Sequence, residues 1–375
     1  MTSNGHKKHT KLIKPAGGKF HSNEIGLIGA PCNIIQKLAS DINHSLSNLA
    51  IAYIDADHGK GKHQPEFSTI YTDKIGFHQI EFYNEKVDYD LRSSFDNAAM
   101  VFINGNHFTA DQQIVIINEK KEDSLSRKLD RLTNVKAFIL DEGMDQPFDF
   151  LYEHQPNWKN LPIFKITDIN PLSSWVDTWY QSQIPTLNGL ILAGGKSTRM
   201  GTDKSLIDYH GKPHALYLAD LISSHCDSVY LSKAADEQPV TGYEVIGDRF
   251  IDLGPYGGIL SAFRHDPNRA WLTIATDVPL LDQKTLQFLV NERDPSKYAT
   301  CFHNPETNFP EPLITIWEPR MYARMLHFLS MGYSCPRKAL INSDIKEIRI
   351  QDSVVLFNAN TPEEKATILA KIARD

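Results

Sequence analysis

Short apolar runs alternate with amphipathic stretches along both halves of the chain, and this alternation commits it to α/β architecture with parallel sheets. In the first half, Ile25-Gly26-Leu27-Ile28-Gly29 reads as a strand ending in a turn. Asn33 to Ile42 reads as a helix with Ile34, Ile35, Leu38 and Ile42 on one side. Further strands are expected at Leu49 to Ile54, Ala99 to Asn104, Gln113 to Asn118 and Lys136 to Leu140, with a helical segment from Ser124 to Leu132. The second half repeats the pattern: strands at Leu187 to Ala193, Ser228 to Leu231, Tyr243 to Ile246 and Trp271 to Ala275, helices at Pro213 to His225 and Ile259 to Phe263. Thr361-Pro362-Glu363-Glu364 predicts a last helix opened by a capping box with proline at its first position. The Pro-, Ser- and Trp-containing stretch from Asn170 to Pro185 reads as the seam, dividing the chain into domains 1–183 and 184–375.

Composition removes several classes. A net charge of -7 over 375 residues argues against a nucleic-acid partner, although a local basic patch for a phosphorylated small molecule stays open. No apolar run approaches the ~18 residues of a membrane span, and without a secretory core at the N-terminus the expected compartment is cytoplasm. The basic arm Lys7, Lys8, Lys11, Lys14 and Lys19 reads as a solvated lead-in. Cys32, Cys226, Cys301 and Cys335 are scattered with no C-x-x-C, which points to reduced thiols and no local zinc knuckle.

The chemistry concentrates in Leu192-Ala193-Gly194-Gly195-Lys196-Ser197-Thr198-Arg199-Met200-Gly201-Thr202-Asp203-Lys204, directly after a strand. Glycines let successive N–H groups approach phosphate oxygens, and Lys196, Arg199 and Lys204 add charge, so the spacing suits a triphosphate cradle. It is neither a Walker A loop, whose first glycine is missing, nor a dinucleotide fingerprint, because Gly194 and Gly195 are adjacent. Asp277, at the end of a strand and before Val278-Pro279, falls at the carboxyl edge where α/β sheets bind ligands, a position suited to Mg2+. Asp282 is the better N-cap for the helix that follows.

With Gly211-Lys212-Pro213, this loop resembles the signature of Rossmann-like nucleotidyltransferases, most closely the molybdenum cofactor guanylyltransferases. Further matching stations follow in order: Gly247-Asp248, Gly254-Pro255-Tyr256-Gly257-Gly258-Ile259, Thr276-Asp277-Val278-Pro279, Glu311-Pro312-Leu313 and Asn358-Ala359-Asn360-Thr361-Pro362-Glu363-Glu364. The resemblance covers about residues 186–375. It implies transfer of GMP from GTP to the terminal phosphate of molybdopterin, with or without molybdenum, and release of pyrophosphate. Lys204 and Arg199 would be catalytic. Leu192, Ala193, Gly194, Gly195, Lys196, Ser197, Lys204, Asp248, Gly254, Pro255 and Asp277 would bind nucleotide, with Asp277 on Mg2+. Asn358, Asn360, Arg337 and Lys338 would hold the acceptor. A cytidylyltransferase on the same pterin, a sugar-1-phosphate nucleotidyltransferase and a non-enzymatic cofactor carrier remain open. So do contacts with molybdoenzymes or cofactor chaperones and assembly as a homo-oligomer.

The first half weakly resembles the P-loop partner protein of molybdopterin guanine dinucleotide synthesis. Gly26-Leu27-Ile28-Gly29-Ala30-Pro31-Cys32-Asn33 stands where a phosphate loop would, yet it lacks G-K-[ST], so a degenerate, catalytically silent accessory module is expected. Asp55, Asp57, His58 and His63 are compatible with metal ligation or with a solvated turn, and no metal is assigned to them.

Overall fold

The protein is described here from a computed structural model, which covers residues 12–56, 68–74, 76–83, 88–194, 204–234, 242–350, 353–359 and 361–372. It divides into two units, Ala16–Gln183 and, together with the described residues up to Pro15, Ile184–Asp375.

The first unit runs β1 (Glu24–Ile28), α1 (Cys32–Ser45), β2 (Ile51–Ile54), β3 (Thr69–Lys74), β4 (Phe77–Phe82), α2 (Asp88–Ser93), β5 (Met100–Asn104), β6 (Gln113–Ile117), α3 (Glu122–Ser126), β7 (Val135–Leu140), α4 (Asp149–His154), β8 (Ile163–Lys165) and α5 (Ile169–Ser182). Six strands form a wholly parallel sheet in the order β2-β5-β1-β6-β7-β8. Every residue of β1, β5 and β6 is buried. A parallel strand covered on both faces must be apolar throughout, which explains runs such as Met100-Val101-Phe102-Ile103. The separate antiparallel hairpin β3–β4 has no counterpart in the apolar pattern.

The stretch from Asn170 to Pro185 is no loose seam over most of its length: it is α5, with Leu172, Val176, Trp179 and Tyr180 buried. Those positions follow i, i+4, i+7, i+8, one face of a helix, and Trp179 donates its indole N–H to Gln112 Oε1 at 2.9 Å. Pro171, Ser173 and Ser174 occupy the helix's first two turns, Ser182 ends it and Pro185 lies beyond it. Similarly, the segment from Ser124 to Leu132 is α3 followed by a separate 3-10 turn, Leu129–Arg131.

The second unit runs β9 (Leu187–Leu192), α6 (His214–Ser223), β10 (Val229–Lys233), β11 (Glu244–Gly247), α7 (Pro255–His265), β12 (Ala270–Ala275), α8 (Gln283–Asn291), β13 (Ala299–Asn304), β14 (Phe309–Trp317), α9 (Met321–Ser330), α10 (Pro336–Ile341), β15 (Lys346–Arg349) and α11 (Pro362–Ile372). Its seven-stranded sheet, β11-β10-β9-β12-β14-β13-β15, is mostly parallel, with β14 antiparallel to both β12 and β13. Along β9, Leu187 and Ile191 face a core shared with Leu218 and Ile222 of α6 and Leu286 and Leu289 of α8. Leu190 and Leu192 face the opposite core, with Tyr256, Ile259 and Phe263 of α7. The period of two thus puts one strand into both cores. Both hydrogen bonds of the capping box are present at α11: Thr361 N to Glu364 Oε2 at 2.9 Å and Glu364 N to Thr361 Oγ1 at 3.2 Å. Asp282 caps α8 through Thr285 N at 2.8 Å.

The glycine run at 254–258 differs from its expected form. Helix α7 begins at Pro255, so Gly257 and Gly258 lie in its first turn and are buried. A Cβ on Gly257 would stand 2.2 Å from Phe250 O, and one on Gly258 would stand 2.7 Å from Ser232 Oγ. These glycines let the helix seat against β10 and the preceding loop. Only Gly254, at φ 55°, occupies a turn that favours glycine.

Candidate active site

Strand β9 lies between β10 on one side and β12 on the other, so the chain leaves it in one direction and later returns on the opposite flank. Crevices at such a switch point, outside the carboxyl ends of the strands, are where open α/β sheets receive ligands. The register pairs Leu192 with Ala275 and with Ser232, which sets Ala193-Gly194, Thr276-Asp277 and Lys233 along one edge.

Thr276 Oγ1 donates to Leu192 O at 3.5 Å, and Ala193 N donates to Ser232 O at 3.1 Å, tying the three strand ends together. Gly194 is exposed, and a Cβ there would sit 3.4 Å from Lys233 Cα, an ordinary contact. On the β10–β11 side, Asp248 N donates to Lys233 O at 2.9 Å, and the Asp248 carboxylate accepts from Ser232 Oγ at 3.0 Å. Asp248 is therefore held at the same edge as Gly194.

Across that edge stands Asp277. Its Oδ1 is buried and has no hydrogen-bond partner. Burial pushes this carboxyl upward, the nearby Lys204 charge pulls it down and the Glu311 carboxylate pushes it up again, with a net upward shift. Lys204 opens a 3-10 turn, Lys204–Leu206. Glu311, on β14, is 1% exposed; it accepts from Asn304 Nδ2 at 3.1 Å and from Leu313 N at 3.3 Å. The buried Glu311 carboxylate and the half-buried Asp277, with a lysine beside them, form a hard-oxygen donor set that fits a magnesium ion, and the partnerless Oδ1 is the atom such an ion would satisfy.

The residues expected to hold an acceptor fall into two groups. Ala359 N donates to the backbone O of Asp277 at 2.8 Å, which clips the segment before α11 onto the Thr276-Asp277 turn. Asn358 Oδ1 is likewise buried without a partner. Ile207, Tyr209, Ala359 and Ile368 form a small core of their own, with Leu280, Phe357 and Ile372 against it. Two of its members reach the site through the backbone: Ile207 N donates to Lys204 O at 3.3 Å, and Ala359 carries the bond to Asp277 O. Arg337 and Lys338 lie in the first turn of α10. Arg337 Nε is buried without a partner, while Lys338 Nζ sits 5.5 Å above the Tyr333 ring. Among the described residues, no hydrogen bond or ion pair joins this pair to Asp277. Gly195, Lys196, Ser197, Arg199 and Asn360 lie outside the described residues, as do Asp57, His58 and His63.

Two participants carry no expected role from sequence: Glu311, marked only by its Glu-Pro-Leu station, and Ser232, a buried polar residue ending an apolar strand. The strand β14 that brings Glu311 beside Asp277 is antiparallel and is absent from the expected parallel pattern.

Comparison with known proteins adds to this geometry. The MobA-like NTP transferase domain matches residues 189–344. A probable molybdenum cofactor guanylyltransferase of Flavobacterium johnsoniae is 32% identical over 136 residues, 36% of this chain and 70% of that protein. The chain belongs to the MobA-like NTP transferase family. A molybdenum cofactor biosynthesis bifunctional protein of Synechocystis sp. is 35% identical over 190 residues, 50% of this chain, which spans about half (54%) of that relative's length. A probable molybdenum cofactor guanylyltransferase of Nostoc sp. is 28% identical over 191 residues, 48% of this chain and 90% of that protein. The family match lies wholly within the second unit. Among the described residues no helix is long and apolar enough to cross a membrane.

Proposed function

We propose that this chain transfers GMP from GTP to the terminal phosphate of molybdopterin, forming the guanine dinucleotide and releasing pyrophosphate. The observation that carries the reading is the buried, partnerless Asp277 Oδ1 beside Lys204 and Glu311, at the strand edge shared with Gly194. An acceptor phosphate oxygen attacks the α-phosphorus, the bond from that phosphorus to the β-phosphate oxygen breaks, and charge builds on the α-phosphoryl oxygens and the departing pyrophosphate. Such a reaction needs positioning and electrostatic stabilisation more than covalent help from the protein.

In this reading Lys204 and Arg199 stabilise the transferring group, and Leu192 to Ser197 cradle the phosphates. Asp248, Gly254 and Pro255 hold the nucleoside. Asn358 and Asn360 meet the pterin, and Arg337 and Lys338 receive its phosphate. Asp277, with Glu311 behind it, would hold magnesium, which supplies charge neutralisation at the phosphoryl oxygens. Part of the raised cost of burying Asp277 is thereby relieved when nucleotide binds with its cation.

The test is pyrophosphate release from GTP and molybdopterin with Mg2+, run beside CTP, ATP and UTP, with Lys204→Ala as comparison. Release dependent on GTP and pterin, and lowered by about 100-fold or more in the variant, is expected. Equal rates with all four nucleotides, or full rate in Lys204→Ala, would reject the reading.

A further inference from the structure

The parallel sheet of the first unit carries a second set of chemistry-bearing groups, contributed by three adjacent strands in the order β2-β5-β1. Cys32 follows β1 through Gly29-Ala30-Pro31 and opens α1. Asp55 is the residue after β2. His107 lies three residues beyond β5. Register pairs Ile54 with Ile103 and Leu27 with Asn104, so all three come off the same carboxyl edge. Cys32 Sγ stands 3.2 Å from His107 Nε2, and His107 Nε2 stands 3.8 Å from Asp55 Oδ1. The three donor atoms all lie within 4.8 Å of one another.

The same imidazole nitrogen faces both the thiol and the carboxylate. In a nucleophile–base–acid relay the base uses one ring nitrogen for the nucleophile and the other for the orienting acid. Convergence on a single nitrogen is instead the arrangement of ligands around one ion. A tetrahedral zinc ion with bonds of about 2.3 Å to sulfur and about 2.0–2.1 Å to nitrogen and oxygen separates its donors by about 3.3–3.6 Å, close to the 3.2 and 3.8 Å that His107 Nε2 keeps from its two neighbours.

The carboxylate is also fixed in advance. Tyr53 donates to Asp55 Oδ2 at 2.7 Å, while Asn104 Nδ2 and Ala56 N donate to Oδ1 at 2.8 and 2.7 Å. Asn104 is itself fully buried. Burial pushes the Asp55 carboxyl up, and these bonds together with His107 more than offset it, leaving the group below its ordinary range. Hydrogen-bonded outer partners of this kind orient metal-ligating carboxylates. Thiol, imidazole and carboxylate together select a borderline-soft divalent ion over magnesium or calcium. All three residues keep some solvent exposure, which leaves the ion a way in.

The geometry points to a zinc-class divalent metal site formed by Cys32, Asp55 and His107, with a coordination position remaining for water or an exchangeable ligand. On binding, the Cys32 thiol loses its proton to solvent as the sulfur–metal bond forms, and no redox partner is needed.

The test uses the full chain, stripped with a chelator and titrated with Zn2+ and, separately, Co2+. We expect one equivalent bound, one proton released and a thiolate-to-cobalt charge-transfer band. Cys32→Ser should abolish the band. Cys335→Ser, which alters an exposed cysteine of the other unit, should leave it unchanged. Asn104→Ala, which removes only an outer partner, should weaken affinity about 10–100-fold. Circular dichroism verifies that each variant is folded, and Asp55→Asn offers an independent ligand deletion. Absence of stoichiometric uptake, or a band that survives Cys32→Ser, overturns the assignment.

Discussion

The two units place their polar residues at the same part of the fold, the carboxyl edge of a parallel sheet, but leave them in opposite states. In the first unit the carboxylate of Asp55 is bonded from three sides by Tyr53, Asn104 and Ala56. In the second, Asp277 Oδ1 and Asn358 Oδ1 are buried with no partner. A buried polar atom without a partner costs roughly 1–3 kcal/mol. The second edge thus carries a deficit that an incoming cation and substrate can remove, whereas the first holds its groups in place before anything arrives.

The largest effect should come from Asp277. Asp277→Asn is expected to lower pyrophosphate release by about 100- to 1,000-fold, the scale on which single electrostatic stabilisers act. Because burial raises this carboxyl above its unfolded value, the folded state holds its proton more tightly, and stability falls as pH rises from the unfolded value through the folded one. Asp277→Asn should therefore melt higher than the parent at neutral pH without Mg2+. A variant that is both active and no more stable would erase the contrast between the edges.

A second titration belongs to His214, fully buried with neither ring nitrogen bonded and pushed by burial, then by His210, down to about 4. Unfolding lets it take up a proton below its ordinary value of 6.5, so its contribution is present above that value and is lost as pH falls towards about 4, at up to about 1.4 kcal/mol per pH unit. His214→Phe should flatten that limb of a pH–stability profile measured in urea.

The loops after the first strand of each sheet differ too. Gly29 has φ 101° and its Cβ would meet Ile116 O at 2.4 Å, whereas a Cβ on Gly194 meets nothing closer than 3.4 Å. Gly29→Ala should cost about 1–3 kcal/mol. Gly194→Ala should stay within about 0.5 kcal/mol. Hydrogen exchange of the β1 and β6 amides, compared with β9 and β12, reads the two separately. Thr361→Ala should cost about 1 kcal/mol through the lost cap, seen as faster exchange in α11.

Much of the α/β fold was legible because strands buried on both faces are continuous apolar runs. Leu187 to Ala193 and Trp271 to Ala275 needed no tertiary information, and the capping box at Thr361 and the cap at Asp282 are local hydrogen-bond chemistry. The misses share a cause. In α5 the apolar residues at helical spacing are interleaved with Asn, Pro and Ser. Strand β14 shows itself only by pairing antiparallel to β12. Glu311 becomes meaningful once that pairing sets it beside Asp277. The cluster of Cys32, Asp55 and His107 draws on residues up to 75 positions apart, so only strand order reveals it.

The small core of Ile207, Tyr209, Ala359 and Ile368 draws together stretches that are distant in sequence. Lys204 stands just before one of its members, Asn358 adjoins another, and Leu280 ties it to the Asp277 turn. In the proposed function these few apolar side chains are a common footing, so that a methyl group removed there would loosen the grip on donor and acceptor in the same stroke. Damage far down the last helix would then present itself as an enzyme that has lost the alignment of its two substrates while keeping every residue that touches them.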